Sequence, residues 1–203
     1  FSMVFEESIN IISQEVEGMK DLVNEFLRFA RMPAPSPKPN SLHKIIDDVY
    51  TLYNTNDQNI VIKKNYDPNI NQVNVDAEQF RRIFINLFEN ALDALNAGGQ
   101  VDITTQLDTA AHKIRIWFSD NGKGVPDSDR DKLFLPHFTT KKRGTGLGLA
   151  IVNRIVVDHN GKITVRANQP KGTIFEIELP HTSLRLSTDS TSRIRTQKAS
   201  LPF

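Results

Sequence analysis

The stretch Asp120-Asn121-Gly122-Lys123-Gly124, followed further along by Gly144-Thr145-Gly146-Leu147-Gly148-Leu149, decides the fold of this chain. Upstream of both, Asn86 and Asn90 lie one helical turn apart in a segment with helical periodicity. Either glycine cluster alone is a weak signal, because glycine-rich turns are common. Together with the asparagine pair, and in this order, the clusters predict a pocket for a purine, a magnesium ion and a triphosphate.

Composition limits the classes of function. The chain has 203 residues, 38% hydrophobic and 24% charged, which allows a folded core in one or two domains. A formal net charge of +1 gives no electrostatic argument for nucleic acid or an anionic membrane as the main partner. The lack of cysteine excludes disulfides and thiolate metal sites. Because no apolar run approaches the roughly 20 residues that span a bilayer and no signal peptide is visible, we expect a soluble, cytoplasmic chain.

Residues 1–32 form the first of four predicted regions. Their apolar residues are spaced alternately four and three apart, as in the a and d positions of a heptad. A lone helix cannot bury such a stripe, so we expect partner helices, from a second copy or from a segment outside this chain. Packing of the helix on its own domain is the alternative. The heptad residues are Phe5, Ile9, Ile12, Val16, Met19, Val23, Phe26 and Ala30.

Two further regions lack a core of their own. In residues 33–40 every second residue from Pro33 to Pro39 is proline, which predicts an extended, stiff linker and a domain boundary. Residues 181–203 are rich in Ser, Thr and Arg with few apolar residues, which predicts a disordered tail. A docking role for the tail is the alternative.

Residues 41–180 form the globular region. Ser41 is a suitable cap for the first helix, and Asp76 with Gln79 resembles a capping box for the second. We expect an α+β fold, a two-layer sandwich with helices on one face of a mixed, largely antiparallel sheet, preceded by the long heptad helix. The predicted helices are 41–53, 77–96 and 145–159, and the predicted strands are 60–65, 73–75, 101–107, 113–119, 162–167 and 173–179.

The helix predicted over 77–96 carries a polar face opposite its core. Asn86, Asn90 and Asp93 follow one another at one-turn intervals. Asparagine is a mediocre helix former, and its amide oxygen is a hard, neutral ligand for a magnesium ion already neutralised by phosphates. A solvated or capping pair explains the asparagines equally well on their own. The expected core residues of this helix are Phe80, Ile83, Phe84, Leu87, Ala91, Leu92 and Leu95.

Asp120 ends an apolar strand and enters a turn in which Gly122 and Gly124 allow close backbone approach to a ligand. A carboxylate there can accept a hydrogen bond from an exocyclic amine and so select adenine over guanine. An ordinary Asp-Asn-Gly turn is the alternative.

In the second cluster, glycines and a helix start can surround phosphate with N–H groups, and Lys141, Lys142 and Arg143 precede them. A P-loop is excluded because Gly148 is followed by Leu149 and Ala150, and a dinucleotide fingerprint because a loop, not a strand, precedes the glycines. We expect residues 126–145 to be a mobile lid that nucleotide orders.

In this order the motifs resemble those of the catalytic, ATP-binding domain of bacterial sensor histidine kinases, in the wider family of gyrase-type and chaperone-type ATPases. The resemblance covers about residues 41–180. Residues 86–94 resemble the N box, 120–124 the first G box and 144–149 the second. Phe134 to Lys141 resembles the F box of the lid, and Gly172 to Phe175 the closing strand motif. Residues 24–33, with the prolines that follow, are similar to the second dimerisation helix and linker of nitrogen-regulation kinases of the NtrY/NtrB type.

The resemblance implies ATP and Mg²⁺ as ligands, with Asn90 as the metal ligand and Asn86 supporting it. It also implies adenine recognition by Asp120, homodimerisation through the N-terminal helix and a response regulator receiver domain as partner. It implies neither nucleic acid nor membrane contact by this chain, and leaves open whether the parent protein is anchored in the bacterial inner membrane. The implied nucleotide-binding residues are Asn86, Asn90, Asp93, Asp120, Gly122, Gly124, Phe138, Thr139, Thr140, Lys141, Gly144, Thr145, Gly146, Leu147, Gly148, Leu149 and Thr173.

One departure from the family pattern concerns the phosphoacceptor. Such kinases carry the acceptor histidine on the first dimerisation helix, and the heptad helix here resembles the second. None of the histidines lies on it, so we expect this chain to transfer a phosphoryl group to a histidine that it does not itself supply. A stand-alone ATPase and a non-catalytic, nucleotide-sensing dimerisation scaffold are the alternatives. The histidines are His43, His112, His137, His159 and His181.

Overall fold

The structure, a computed structural model, describes residues 2–53, 60–95, 98–141 and 144–181, with all of their side chains except those of residues 2–5, 21 and 28. The predicted tail lies outside these residues, apart from its first position, as do Lys142 and Arg143. The elements are α1 (Ser2–Ala30), β1 (Lys38–Asn40), α2 (Leu42–Tyr53), β2 (Ile60–Asn65), β3 (Val73–Val75), α3 (Ala77–Leu95), β4 (Gly99–Asp108), β5 (Lys113–Asp120), α4 (Asp127–Arg130), α5 (Gly148–Asp158), β6 (Lys162–Ala167) and β7 (Thr173–Pro180).

The main sheet has five strands in the order β2-β4-β5-β7-β6. The β2–β4 pair is parallel and the other three pairs are antiparallel. Alternate residues of β5 are buried, from Ile114 to Asp120, and α2, α3 and α5 cover this face of the sheet. The predicted α+β sandwich, with a mixed, largely antiparallel sheet and helices on one face, is confirmed.

α1 presents its heptad stripe to solvent. The described heptad side chains from Ile9 to Phe26 are exposed, with Met19 at 65% of its accessible surface. The helix ends at Ala30, three residues before Pro33, which disfavours helical geometry in the residue before it. Apart from Phe26, whose ring stacks on that of His137, the described stripe is therefore left uncovered by the described part of this chain.

The predicted linker is not wholly free of the globular region. Its last three residues form β1, which pairs antiparallel with β3. The side-chain amide of Asn40 donates to the carbonyl oxygen of Val75 at 2.8 Å, and Ser36 N donates to Asp76 Oδ2 at 3.0 Å. Pro39 is compatible with this pairing because the two-stranded sheet leaves β1 an edge strand.

The helix starts agree only in part with the sequence predictions. Ser41 Oγ accepts from Lys44 N, and Asp76 Oδ1 accepts from Glu78 N and Gln79 N, as expected of N-caps. The reciprocal half of the capping box is absent, since the Gln79 side chain instead donates to Pro33 O at 3.1 Å. The amide of Asp76 donates to Nε2 of His159 at 3.0 Å.

α5 begins at Gly148 and not at Thr145 as predicted. Gly146 has a φ of 70°, a left-handed conformation that interrupts a right-handed helix. Its carbonyl oxygen accepts a hydrogen bond from His137 N at 3.0 Å. Residues 145–147 thus belong to the loop, which places their backbone beside the lid segment. The short α4 within that segment was not predicted.

Candidate functional site

The polar face of α3 borders a cleft that the lid and the start of α5 also line. Asn86 and Asn90 are half-buried, and Asp93 is exposed one turn further on. The amide nitrogen of Asn86 donates to Arg82 O at 2.7 Å, so its Oδ1 points away from its own helix backbone. A Cβ built on Gly148 would lie 2.5 Å from that oxygen. The first turn of α5 therefore comes close to Asn86 only because residue 148 is glycine.

Lys141 closes one side of this cleft. Its Nζ donates to Asn90 Oδ1 at 2.8 Å and also forms an ion pair with Asp93 Oδ2. Burial raises the pKa of the neighbouring Glu89 carboxyl, with Asp93 and Glu25 adding to the increase and Lys141 opposing it. One ammonium group thus faces an otherwise acidic end of α3.

Asp120 lies at the floor of the cleft, at the end of β5, with only 3% of its surface exposed. Its Oδ1 accepts from Gly122 N at 2.8 Å, and its strand partner Thr173 is also buried. Burial raises the pKa of the Asp120 carboxyl, and the hydrogen bonds from Gly122 and Thr173 oppose the increase. Both donors are neutral groups. A buried carboxylate stabilised only by neutral donors is costly, and such groups are concentrated at functional sites.

A cavity of about 550 Å³ joins these groups. This volume lies within the range typical of small-ligand sites. All of the predicted nucleotide-binding residues line it except Gly122, whose backbone supports Asp120, and Leu147, which is fully buried in the core. The structure therefore brings together residues of all five sequence motifs.

The cavity also has lining residues that the sequence did not predict. Leu92 was expected in the core of α3 but lines the cavity, because it lies at the edge of the apolar stripe; Phe88, absent from that prediction, is fully buried instead. Most of the others lie in the lid or close in sequence to a predicted residue, and that proximity was the available signal. The residues missed are Glu25, Glu89, Leu92, Ala94, Lys123, Val125, Pro126, Asp129, Leu133 and Phe175.

The oxygen atoms at the site can be compared with those that the implied Mg²⁺ would need. No group of three or more His, Cys, Asp or Glu side chains in the described ranges could hold a metal ion by itself. The amide oxygens of Asn86 and Asn90 fit a hard cation that a phosphate chain already partly neutralises. The ammonium group of Lys141 at Asn90 and Asp93 shows that a cation is accommodated there.

The end of α1 reaches the same cleft. Glu25 lines the cavity, and the ring of Phe26 stacks on that of His137 in the lid with centroids 6.0 Å apart. His137 has a φ of 67°, which directs the lid chain back toward the loop before α5. Within the described ranges, no helix is long and apolar enough to cross a membrane.

Comparison with known proteins gives the family. The family model described as histidine kinase-, DNA gyrase B- and HSP90-like ATPase matches residues 75–183. Sporulation kinase C of Bacillus subtilis (strain 168) is 35% identical over 174 residues, which are 84% of this chain and 40% of that protein. An NtrY-like sensor histidine kinase of Rickettsia bellii (strain RML369-C) is 31% identical over 184 residues, 90% of this chain and 30% of that protein. The chain thus spans less than half the length of these relatives.

Solved structures agree with this result. The nucleotide-free catalytic domain of histidine kinase ThkA superimposes with a TM-score of 0.65 at 32% identity, over 71% of this chain and 95% of that domain. The complex of ThkA with response regulator protein TrrA gives 0.71 at 29% identity, over 86% of this chain and 50% of that one. Full-length ShkA in complex with AMPPNP gives 0.71 at 25%, over 86% and 38%.

The resemblance inferred from the sequence motifs is therefore confirmed. The family model covers more than half of the 203 residues, and its match contains α3, the buried Asp120 and the glycine-rich start of α5. This chain belongs to the histidine kinase-, DNA gyrase B- and HSP90-like ATPase family and carries the ATP-binding catalytic domain of a sensor histidine kinase.

Proposed function

We propose that this chain binds Mg–ATP in the cleft between α3 and α5 and transfers the γ-phosphoryl group to a histidine of a dimerisation domain in two-component signalling. The observation that carries the proposal is the 550 Å³ cavity, which joins the amides of α3, the buried Asp120 and the first turn of α5. ThkA, which this chain resembles, is described as a histidine kinase, and the similar structure of full-length ShkA is a complex with AMPPNP.

Purine selection is assigned to Asp120. Its buried carboxylate keeps acceptor capacity beyond the bond from Gly122 N, and an exocyclic amine is a donor that adenine offers and guanine does not offer at the same position. The raised pKa of this carboxyl is consistent with a group that gains from a further hydrogen-bond donor. Thr173, buried beside it, holds the carboxylate in position.

The phosphate chain is assigned to the start of α5. The loop from Gly144 to Gly148 presents backbone at the cavity wall, and the positive end of the α5 dipole faces the same space. Thr139, Thr140 and Lys141 line the cavity from the lid side.

The metal is assigned to Asn90, with Asn86 in support. When bound, Mg²⁺ would reduce the charge of the triphosphate. The residues of this chain orient the nucleotide and exclude water, which supplies much of the rate in phosphoryl transfer. Because Oδ1 of Asn86 lies beside Gly148, the two motifs can act on the same phosphate group.

The partners are assigned from the relatives and from α1. The exposed heptad face of α1 supports homodimerisation, since it offers a stripe for partner helices. No residue from 2 to 30 is histidine, so the acceptor histidine must come from another segment or another chain. ThkA is described in complex with a response regulator, which supports such a partner here. The NtrY-like relative supports, within this proposal, the nitrogen-regulation subfamily.

The test separates nucleotide binding from transfer. Calorimetry with Mg–ATP should show saturable binding that Asp120→Ala removes, and absence of binding at millimolar nucleotide would reject the assigned site. The chain is then mixed with radiolabelled ATP and a separate helical bundle that carries an acceptor histidine and no catalytic domain. Acid-labile label on the bundle supports the transfer. Binding without any label would favour the nucleotide-sensing scaffold.

A further inference from the structure

Lys141 joins two elements that lie far apart in sequence. It belongs to the segment before α5, yet its Nζ contacts Asn90 and Asp93 on α3. The side chain of Lys141 is 36% exposed and that of Asp93 is 56% exposed, so solvent can reach the contact. The segment is thereby attached to the helix at which the metal is proposed to bind.

The atoms that receive this ammonium group are those suited to a hard cation. Asn90 Oδ1 is the proposed metal ligand, and Asp93 Oδ2 adds a negative charge one turn away. Glu89 and Glu25 line the same cavity and make its potential more negative. An ammonium group and Mg²⁺ cannot occupy the same oxygen lone pair at hydrogen-bond and coordination distance, so they must compete.

We propose that Lys141 is an internal counterion that holds the metal-binding face of α3 in the nucleotide-free chain and must leave it when Mg–nucleotide binds. The inference rests on the proposed function, because it takes the cavity as the nucleotide site. Lys141 is then a positioning residue: its contact with α3 makes metal binding weaker and fixes the segment before α5 until the metal arrives. By linkage, whatever stabilises the lysine contact weakens metal binding by the same factor.

The first test needs no nucleotide. Stability against urea is measured for Lys141→Met, Asp93→Asn and the double variant, with Lys132→Met as matched control because Lys132 is an exposed lysine of the same segment. If the contact exists, the double variant loses no more stability than the larger of the single losses. In addition, amides 137–141 should exchange faster in Lys141→Met than in Lys132→Met. Additive losses, or equal exchange in the two variants, would reject the internal counterion.

The second test uses Mg–ADP, which lacks the γ-phosphate that a released lysine could contact. The Lys141→Met variant lacks the competing cation, so it should bind Mg–ADP roughly threefold more tightly than the unsubstituted chain, as expected for a partly exposed ion pair. The Mg–ADP affinity of Lys132→Met should be unchanged. The gain should disappear when EDTA replaces Mg²⁺. Unchanged or weaker Mg–ADP binding by Lys141→Met would overturn the inference, because a lysine that only binds phosphate loses affinity when it is removed.

The two tests keep the proposals apart. If the unsubstituted chain binds no nucleotide, the proposed function fails, whereas the stability cycle still decides whether Lys141 holds Asp93. If Asp120→Ala removes nucleotide binding but Lys141→Met weakens Mg–ADP binding, the nucleotide site stands and only the competition is rejected.

Discussion

Oδ1 of Asn86 occupies the space into which a side chain on Gly148 would project, at 2.5 Å from an ideal Cβ. The atom in conflict is the end of a side chain and not backbone, so the fold can survive a methyl group there by moving the Asn86 amide. That movement would take one of the two amides out of the proposed metal site.

Gly148→Ala should accordingly weaken Mg–ATP binding by about tenfold, or about 1.4 kcal/mol, while the free energy of unfolding changes by less than about 1 kcal/mol. Gly18→Ala is the matched control, because a Cβ on Gly18 of α1 meets no atom within 4 Å. Calorimetry and urea denaturation supply the two measurements. Full affinity in Gly148→Ala would show that Asn86 is not needed at its present position.

Asp120→Asn should abolish selective ATP binding without loss of stability. Because burial raises the pKa of this carboxyl, the ionised group opposes folding at neutral pH. A neutral amide of the same shape removes that cost, which offsets the loss of one acceptor oxygen toward Gly122 and Thr173. The raised pKa also fixes the sign of the pH dependence. The contribution of Asp120 to stability is present below its unfolded-state pKa and is lost as pH rises through the folded-state pKa. Asp158→Asn, at the far end of α5, is the control; a marked drop in the melting temperature of Asp120→Asn alone would contradict this account.

Asp76→Ala should destabilise the domain by about 1–2 kcal/mol, because Asp76 caps α3 and also accepts from Ser36 N in the linker. Ser41→Ala removes a longer, exposed cap bond of 3.3 Å to Lys44 N and should cost about 0.5 kcal/mol. Urea denaturation of the two variants compares the caps directly. Equal losses would mean that the bond to the linker contributes nothing.

The free energy of unfolding should depend on pH through Asp67. Hydrogen bonds from the amides of Leu107 and Asn69 hold the pKa of this carboxyl below its ordinary value of 3.8. The resulting stability is present above pH 3.8 and is lost as pH falls through the lower folded-state pKa. Asp67→Asn should therefore be less stable than the unsubstituted chain at pH 6, with the difference shrinking below pH 3.8. A difference that stays constant with pH would assign the loss to geometry and not to charge.

The elements of the domain were predictable because their signals are local. The periodic apolar residues of α3 and the alternating apolar residues of β5 are patterns within short stretches of sequence. Gly122 and Gly124 likewise mark the turn that the chain makes after Asp120. The pairing of β1 with β3 was not predictable, since three residues from Lys38 to Asn40 carry no periodic signal. The start of α5 was misplaced because a left-handed Gly146 cannot be read from composition.

The candidate site also has a part that local motifs predicted and a part that only the folded chain determines. Motif order placed Asn86, Asn90 and Asp120 in one pocket, since each motif has its own local pattern. The contact of Lys141 with Asp93 joins residues 48 positions apart and depends on the path of the loop between them. Leu92 was assigned to the core because a helical stripe has no sharp edge, and only packing decides which edge residue faces a cavity.

The attachment of the linker has a mechanical consequence. Pro33 O is bonded to the Gln79 side chain and Ser36 N to Asp76, so both anchors lie on the first turn of α3 or its cap. Only two residues, Arg31 and Met32, separate the last residue of α1 from the first anchor. A rotation of α1 about its axis must therefore either turn the first turn of α3 with it or break these two hydrogen bonds first.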